Sequence, residues 1–120
     1  KAKHDHKYEN LISLLTPICK AYCSEQGFQV SVDAVQMHGG YGYCTEYGIE
    51  QFVRDTKIAT IYEGTNAIQA IDFVMRKILK DQGKTMMWLS EDIMKMVHQL
   101  DDSKFKKEKD LLLKVMNSAQ

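Results

Sequence analysis

Apolar residues recur along this chain at intervals of three and four, the period of one face of an α-helix. Leu11, Leu14, Leu15, Ile18 and Tyr22 form the first stripe. Pro17 falls inside it. Proline lacks the amide donor and crowds the preceding turn, so a kinked or locally loosened helix is expected there. Gly27 offers a second joint, after which Phe28, Val32, Val35 and Met37 carry the pattern to Gly39-Gly40. Four of the seven glycines fall between Gly39 and Gly48, and the entropy lost on ordering glycine predicts a loop. Phe52, Val53, Ile58 and Ile61 predict one or two short helical turns, interrupted at Tyr62-Glu63-Gly64. Thr65 or Asn66 can cap the next helix. Its stripe is Ala67, Ile68, Ile71, Val74, Met75, Ile78 and Leu79, and Gly83 stops it. Met86, Leu89, Ile93, Met96 or Val97, and Leu100 predict another helix. Phe105, Leu112, Val115 and Met116 predict a weaker last one, with Asp101, Asp102 or Ser103 as caps. No alternating strand pattern of useful length occurs. The expected architecture is all-α, most simply an antiparallel helical bundle.

Length sharpens that expectation. The chain has 120 residues, the size of one domain, and a compact chain of this mass buries roughly two-thirds of its unfolded surface. One modest core is therefore expected. Sixteen basic residues balance sixteen acidic ones, which leaves no basic excess of the kind a nucleic-acid binder uses against phosphates. Cys19, Cys23 and Cys44 are odd in number and include no C-x-x-C. They read as small buried hydrophobes in a reducing intracellular compartment such as the cytoplasm, with neither a disulfide framework nor a zinc site. No apolar run is long enough to span a membrane, and the first residues lack the apolar centre of a signal peptide. The chain opens on Lys1 without an initiator Met and reads as a piece of something longer.

Two stretches carry candidate chemistry. In Tyr62-Glu63-Gly64-Thr65 a carboxylate follows an apolar and an aromatic residue and precedes a glycine. Apolar surroundings disfavour a charged carboxylate, which suits a general base acting near neutral pH. The same residues also serve as a plain helix junction, with Gly64 ending one element and Thr65 capping the next. In Gln36-Met37-His38-Gly39-Gly40-Tyr41-Gly42-Tyr43 the glycines can expose backbone N–H groups to an anion. The Lys-Ser/Thr of a P-loop and the strand of a dinucleotide fingerprint are missing, so an ordinary interhelical loop fits as well. His4 and His6 read as solvated imidazoles, and no metal site is expected. Met86, Met87, Met94, Met96 and Met116 read as core filler or a docking face.

The order and separation of the two stretches are more specific than either. Gln36-x-x-Gly39-Gly40-x-Gly42-Tyr43-x-x-Glu46, followed by Phe52-Val53-Arg54-Asp55-x-x-Ile58-x-x-Ile61-Tyr62-Glu63-Gly64-Thr65-Asn66-x-Ile68-Gln69, resembles the C-terminal helical domain of acyl-CoA dehydrogenases. The tail beyond Lys80 resembles the branch with an extra C-terminal helical extension, which suggests a bundle over residues 1–83 and an extension over 84–120. The resemblance implies an FAD-dependent oxidoreductase of fatty-acid β-oxidation and lipid metabolism. Glu63 falls on the base that removes the α-proton of an acyl-CoA thioester, the β-hydrogen leaving as hydride to the flavin N5. Gly64 and Tyr62 fall on substrate-contacting positions. Gln36, Met37, His38, Gly39 and Gly40 fall on the stretch that touches the FAD of a neighbouring subunit. Thr65, Asn66 and Ala67 fall on the stretch that contacts the nucleotide portion of the flavin, Ala67 standing where a polar residue is common. Electron-transferring flavoprotein and a homo-oligomer are the implied partners.

The chain holds nothing corresponding to that family's N-terminal helical domain or middle β-domain, so by itself it is expected to be inactive and not to retain FAD. The alternative is a non-enzymatic helical interaction module with the Met-rich tail as its working surface. A nucleic-acid binder stacking bases on Tyr41 and Tyr43 is the weaker rival, against the balanced charge.

Overall fold

The computed structural model describes residues 2–118. The side chains of His4, Asp102 and Ser103 lie outside the described residues. All regular structure among them is helical: α1 (Ala2–His38), α2 (Gly40–Tyr43), α3 (Ile49–Lys57), α4 (Asn66–Ile71), α5 (Lys84–Gln99) and α6 (Asp102–Ser118). Short 3-10 turns fill Thr45–Tyr47 and Ile58–Thr60, and α4 runs on into a π-helical segment, Asp72–Ile78. There the amide of Leu79 reaches the carbonyl of Val74, five residues back, at 2.9 Å.

The other elements pack along α1, whose 37 residues make about 55 Å of helix. It runs on through Pro17 as one helix, as the unbroken apolar stripe suggested, and through Gly27, where a joint was expected. Pro17 is buried on the packed face, where neighbouring elements support the turn that proline weakens. The Gly39–Gly48 stretch is likewise a short helix and a 3-10 turn instead of a loop. Gly42 explains this: a Cβ there would stand 2.6 Å from the Val35 carbonyl oxygen, so only glycine lets α2 lie against the end of α1.

The packed stripe of α1 is Lys7, Leu11, Leu14, Pro17, Ala21, Ser24, Phe28, Ser31 and Val35. Ser31 meets Thr56 of α3 through a 2.8 Å hydroxyl pair, and Lys57 sits over the Phe28 ring. Lys7 donates to Asp92 of α5 at 2.7 Å. Much of the apolar pattern faces outward instead. Ile12, Ile18 and Tyr22 of α1 are exposed, as are Ile68, Ile71, Val74, Met75 and Leu79 after Thr65. All three cysteines are also exposed, where burial was expected.

The accessible surface measures 9490 Å², against about 6,600 Å² for a compact monomer of this mass, so about half the unfolded surface is buried, short of the two-thirds expected. The radius of gyration is 19.4 Å against about 14 Å for a compact domain of this length. Leu14 and Val97 are the large side chains buried almost completely among the described residues. The last two helices touch lightly. Between them Met86, Met87, Met94 and Met116 line an apolar groove of about 580 Å³, while Met96 lies outside it and is exposed.

Candidate active site

The 3-10 turn after α3 closes with the amides of Ile61 and Tyr62 on the Ile58 carbonyl, at 2.9 and 3.0 Å. The chain then turns sharply: Glu63 has φ 53° and Gly64 φ 86°. Left-handed backbone is ordinary for glycine but costs about 1–2 kcal/mol for a residue with a Cβ. Thr65 restores extended geometry and caps α4, its hydroxyl accepting from the Ile68 amide at 3.4 Å.

Side chains from two directions hold this turn. Gln69 Nε2 donates to the Glu63 carbonyl at 3.0 Å. Lys20 Nζ, from α1, donates to the Gly64 carbonyl at 2.7 Å and to Asn66 Oδ1 at 3.1 Å. Ser24 donates to the same Asn66 oxygen at 3.3 Å, and Asn66 Nδ2 donates to Glu25 at 3.2 Å. Gly64 is required twice over. Its φ is positive, and a Cβ would come within 3.2 Å of Gln69 Nε2 and 3.3 Å of Ile68 Cγ2.

The turn swings the Glu63 carboxylate out to an open groove of about 340 Å³ lined by Ile68, Gln69, Ile71, Asp72 and Arg76. Glu63 is exposed. The apolar enclosure suggested by Ile61 and Tyr62 is absent here, because both of those side chains are about half exposed.

Gln36, Met37, His38, Gly39 and Gly40 lie elsewhere. They end α1, all exposed, with the Gly39 amide on the Gln36 carbonyl at 3.1 Å and His38 Nδ1 paired with the Ala34 carbonyl at 2.8 Å. Gln36 is twelve residues past Ser24, about 18 Å along the helix. The structure therefore gathers Tyr62, Glu63, Gly64, Thr65, Asn66 and Ala67 in one place and leaves the 36–40 stretch in another. A Cβ on Gly39 or Gly40 would meet nothing within 4 Å, so their bare backbone is open to a flat ligand. Asn66 has its amide engaged within the chain, and the exposed Ala67 brings no polar atom.

Sequence reasoning missed Lys20, Ser24 and Glu25, and noted Gln69 as part of the motif without giving it a role. Lys20 and Ser24 stand four apart, hence on one helix face. Periodicity counts polar positions as solvent-facing, so they drew no notice. Among the described residues no group of three His, Cys, Asp or Glu could hold a metal ion, and no helix is long and apolar enough to cross a membrane.

Residues 1–79 match the family model for the acyl-CoA dehydrogenase C-terminal domain, and the chain belongs to that oxidoreductase family. It is 44% identical over 85 residues to 3-methylmercaptopropionyl-CoA dehydrogenase of Ruegeria pomeroyi, covering 71% of this chain and 14% of that protein. It is 39% identical over 108 residues to the broad-specificity linear acyl-CoA dehydrogenase FadE5 of Mycobacterium tuberculosis, covering 89% and 18%. To a butyryl-CoA dehydrogenase of Syntrophomonas wolfei it is 42% identical over 84 residues, covering 69% and 14%. The chain spans less than a fifth of the length of these relatives.

Proposed function

We propose that this chain supplies the catalytic base of an FAD-dependent acyl-CoA dehydrogenase acting in fatty-acid oxidation. The observation that carries the reading is the Glu63-Gly64 turn, a strained backbone held open by Lys20 and Gln69. Strain of this kind persists only where surrounding contacts over-determine it, as they do at functional sites. The Glu63 carboxylate takes the α-proton of the thioester. Its backbone N–H polarises the thioester oxygen as enolate charge develops. Gly64 leaves space for the thioester, and Tyr62 walls the acyl chain. FAD, when bound, accepts the β-hydrogen as hydride, leaving a trans-2-enoyl thioester. Closure over the exposed Glu63 excludes water and disfavours its charge, matching it to an acidified α-carbon.

Gln36, Met37, His38, Gly39 and Gly40 face the FAD of a second subunit, and the backbone of Thr65, Asn66 and Ala67 faces the flavin nucleotide. Residues 1–83 form the catalytic bundle and 84–120 an extension beside it. The outward apolar faces are covered in the full-length homo-oligomer, since patches of that kind mark interaction sites. Electron-transferring flavoprotein reoxidises the flavin. The 120 residues alone lack the enclosure and are expected to be inactive. The test is anaerobic addition of acyl-CoA to the full-length protein. Its yellow flavin should bleach, and should stay yellow in Glu63→Gln. A full-length protein that gains no flavin on reconstitution would sink the reading.

A further inference from the structure

The Glu63-Gly64 turn has no backbone hydrogen bond of its own. Before it the Tyr62 amide goes to the Ile58 carbonyl, and after it the Gln69 amide goes to the Thr65 carbonyl. Among the described residues no backbone amide reaches the Glu63 or Gly64 carbonyl. A side chain holds each instead: Gln69 holds that of Glu63 at 3.0 Å, and Lys20 holds that of Gly64 at 2.7 Å. The two holds differ in kind. Gln69 is a neutral amide six residues along the chain, and it moves with the turn. Lys20 is a cation forty-four residues away, and it ties the turn to α1, the helix along which the other elements pack.

Nothing else fixes Lys20 there. It makes no ion pair among the described residues. Its other bond goes to Asn66 Oδ1 at 3.1 Å, just past the same turn, and the Glu25 carboxylate is engaged by Asn66 Nδ2. The partly buried ammonium thus directs its charge at two carbonyl oxygens, and charge-assisted bonds of this kind are about twice as strong as neutral ones. The atom it holds matters to the chemistry. Gly64 accepts a wide range of backbone angles, so a free Gly64 carbonyl would let the turn swing and carry the Glu63 side chain with it. A general base has to stand about 3 Å from the proton it takes, and a misplacement of about 1 Å costs about 10²-fold in rate.

We infer that Lys20 is a positioning residue for the proton abstraction: its ammonium pins the Gly64 carbonyl to α1 and so sets where the Glu63 carboxylate stands against the substrate α-carbon. The inference rests on the function proposed above. Lys20 acts through the turn and touches neither thioester nor flavin, so its effect falls on the limiting rate and not on substrate affinity.

The test is stopped-flow flavin bleaching of the full-length protein by a straight-chain acyl-CoA under anaerobic conditions, read as a limiting rate and a half-saturating concentration. Lys20→Met should lower the limiting rate by about 10²-fold and move half-saturation by less than about threefold, with flavin content unchanged. Lys20→Gln, uncharged and one bond shorter, should do the same, and is read in its place if Lys20→Met does not retain flavin. Lys7→Met removes a comparable bond from the same helix, the 2.7 Å bond to Asp92, and should leave both quantities within about twofold. The assignment is overturned if the Lys20 variants melt earlier but bleach at the unmodified rate, which is the signature of a purely structural role. It is also overturned if half-saturation rises as much as the rate falls, or if both Lys20 variants lose flavin while Lys7→Met keeps it, since Lys20 would then serve binding. An unmodified protein that does not bleach sinks the dehydrogenase reading itself, so the two failures are distinguishable.

Discussion

Two places among the described residues put a side-chain-bearing residue and then a glycine into left-handed backbone: Glu63-Gly64 and Gln82-Gly83. The second is an ordinary helix junction. The Gly83 amide returns to the Ile78 carbonyl at 2.9 Å, and the carboxylate of Asp81 caps α5 through its first amides. Every donor and acceptor there is local, and the turn does nothing but end one helix and start another. The first turn is held from a distance. Lys20 reaches it from more than forty residues away in sequence, and Gln69 reaches back from α4. The same backbone oddity therefore has two origins. Gln82 sits where helix termination puts it, whereas Glu63 is kept in place by side chains that serve little other purpose. The role proposed for Glu63 rests on that difference.

Relieving the strain at each turn breaks the comparison most sharply. Glu63→Gly and Gln82→Gly should each raise stability by about 1 kcal/mol in denaturant unfolding, since glycine adopts this backbone freely. In the full-length protein Glu63→Gly should lower dehydrogenation by about 10³-fold, the scale of a lost general base. Gln82→Gly should leave it intact. Equal activity losses would erase the distinction.

Alanine at the two glycines gives the next effect. Gly64→Ala meets both the positive φ and the close approach of Gln69 and Ile68, and should cost about 2–3 kcal/mol. Gly83→Ala meets nothing within 4 Å and should cost about 1 kcal/mol for backbone alone. Thermal melts of the two variants read the order directly.

Lys20→Met keeps the apolar stem of the side chain and removes its donors. It should cost about 1.5 kcal/mol, the scale of hydrogen bonds from a charged group, and protease should then cut first between α3 and α4. A Gln82-Gly83 junction cut earlier would show that Lys20 does not hold the Glu63 turn.

The smallest effect is acid sensitivity confined to the other junction. The hydroxyl and amide of Thr85, with the amides of Gly83 and Lys84, hold the Asp81 carboxyl below its ordinary 3.8. A carboxyl lowered in the folded state binds fewer protons there than when unfolded, so its contribution is complete above 3.8 and is lost as pH falls through the lower folded value. Hydrogen-exchange protection at the start of α5, taken relative to the intrinsic rate at each pH, should therefore fall below pH 3.8, and Asp81→Asn should remove that dependence.

Helix positions were largely legible in the sequence, and packing was much less so. The stripes of α1, α4 and α5 predicted helices where helices are. They also predicted which face turns inward, and there α1 and α4 depart. Ser24, Ser31 and Lys7 lie on the packed side, while Ile18, Tyr22, Ile68 and Ile71 face out. Periodicity reads the apolar face as the core of the chain at hand, yet here about half of the unfolded surface stays exposed, so the apolar stripe is free to serve contacts outside the chain. Gly27 misled in the opposite direction, because tertiary packing overrides local propensity. Glu63 and Gly64 were legible from their spacing to the Gly39-Gly40 pair. Lys20 and Gln69 were not, because a lysine that supports a turn forty-four residues away looks in sequence like any solvated lysine.

The most direct measurement tracks the α-proton itself. The full-length protein is mixed anaerobically in deuterated water with an acyl-CoA analogue whose β-position carries no hydrogen, so hydride transfer is blocked and proton abstraction stands alone. Mass spectrometry should find deuterium entering the α-carbon with Glu63 present, and entering about 10³-fold more slowly in Glu63→Gln. Exchange at an unchanged rate in Glu63→Gln would mean that another group takes the proton, and that the strained turn at Glu63 has some other purpose.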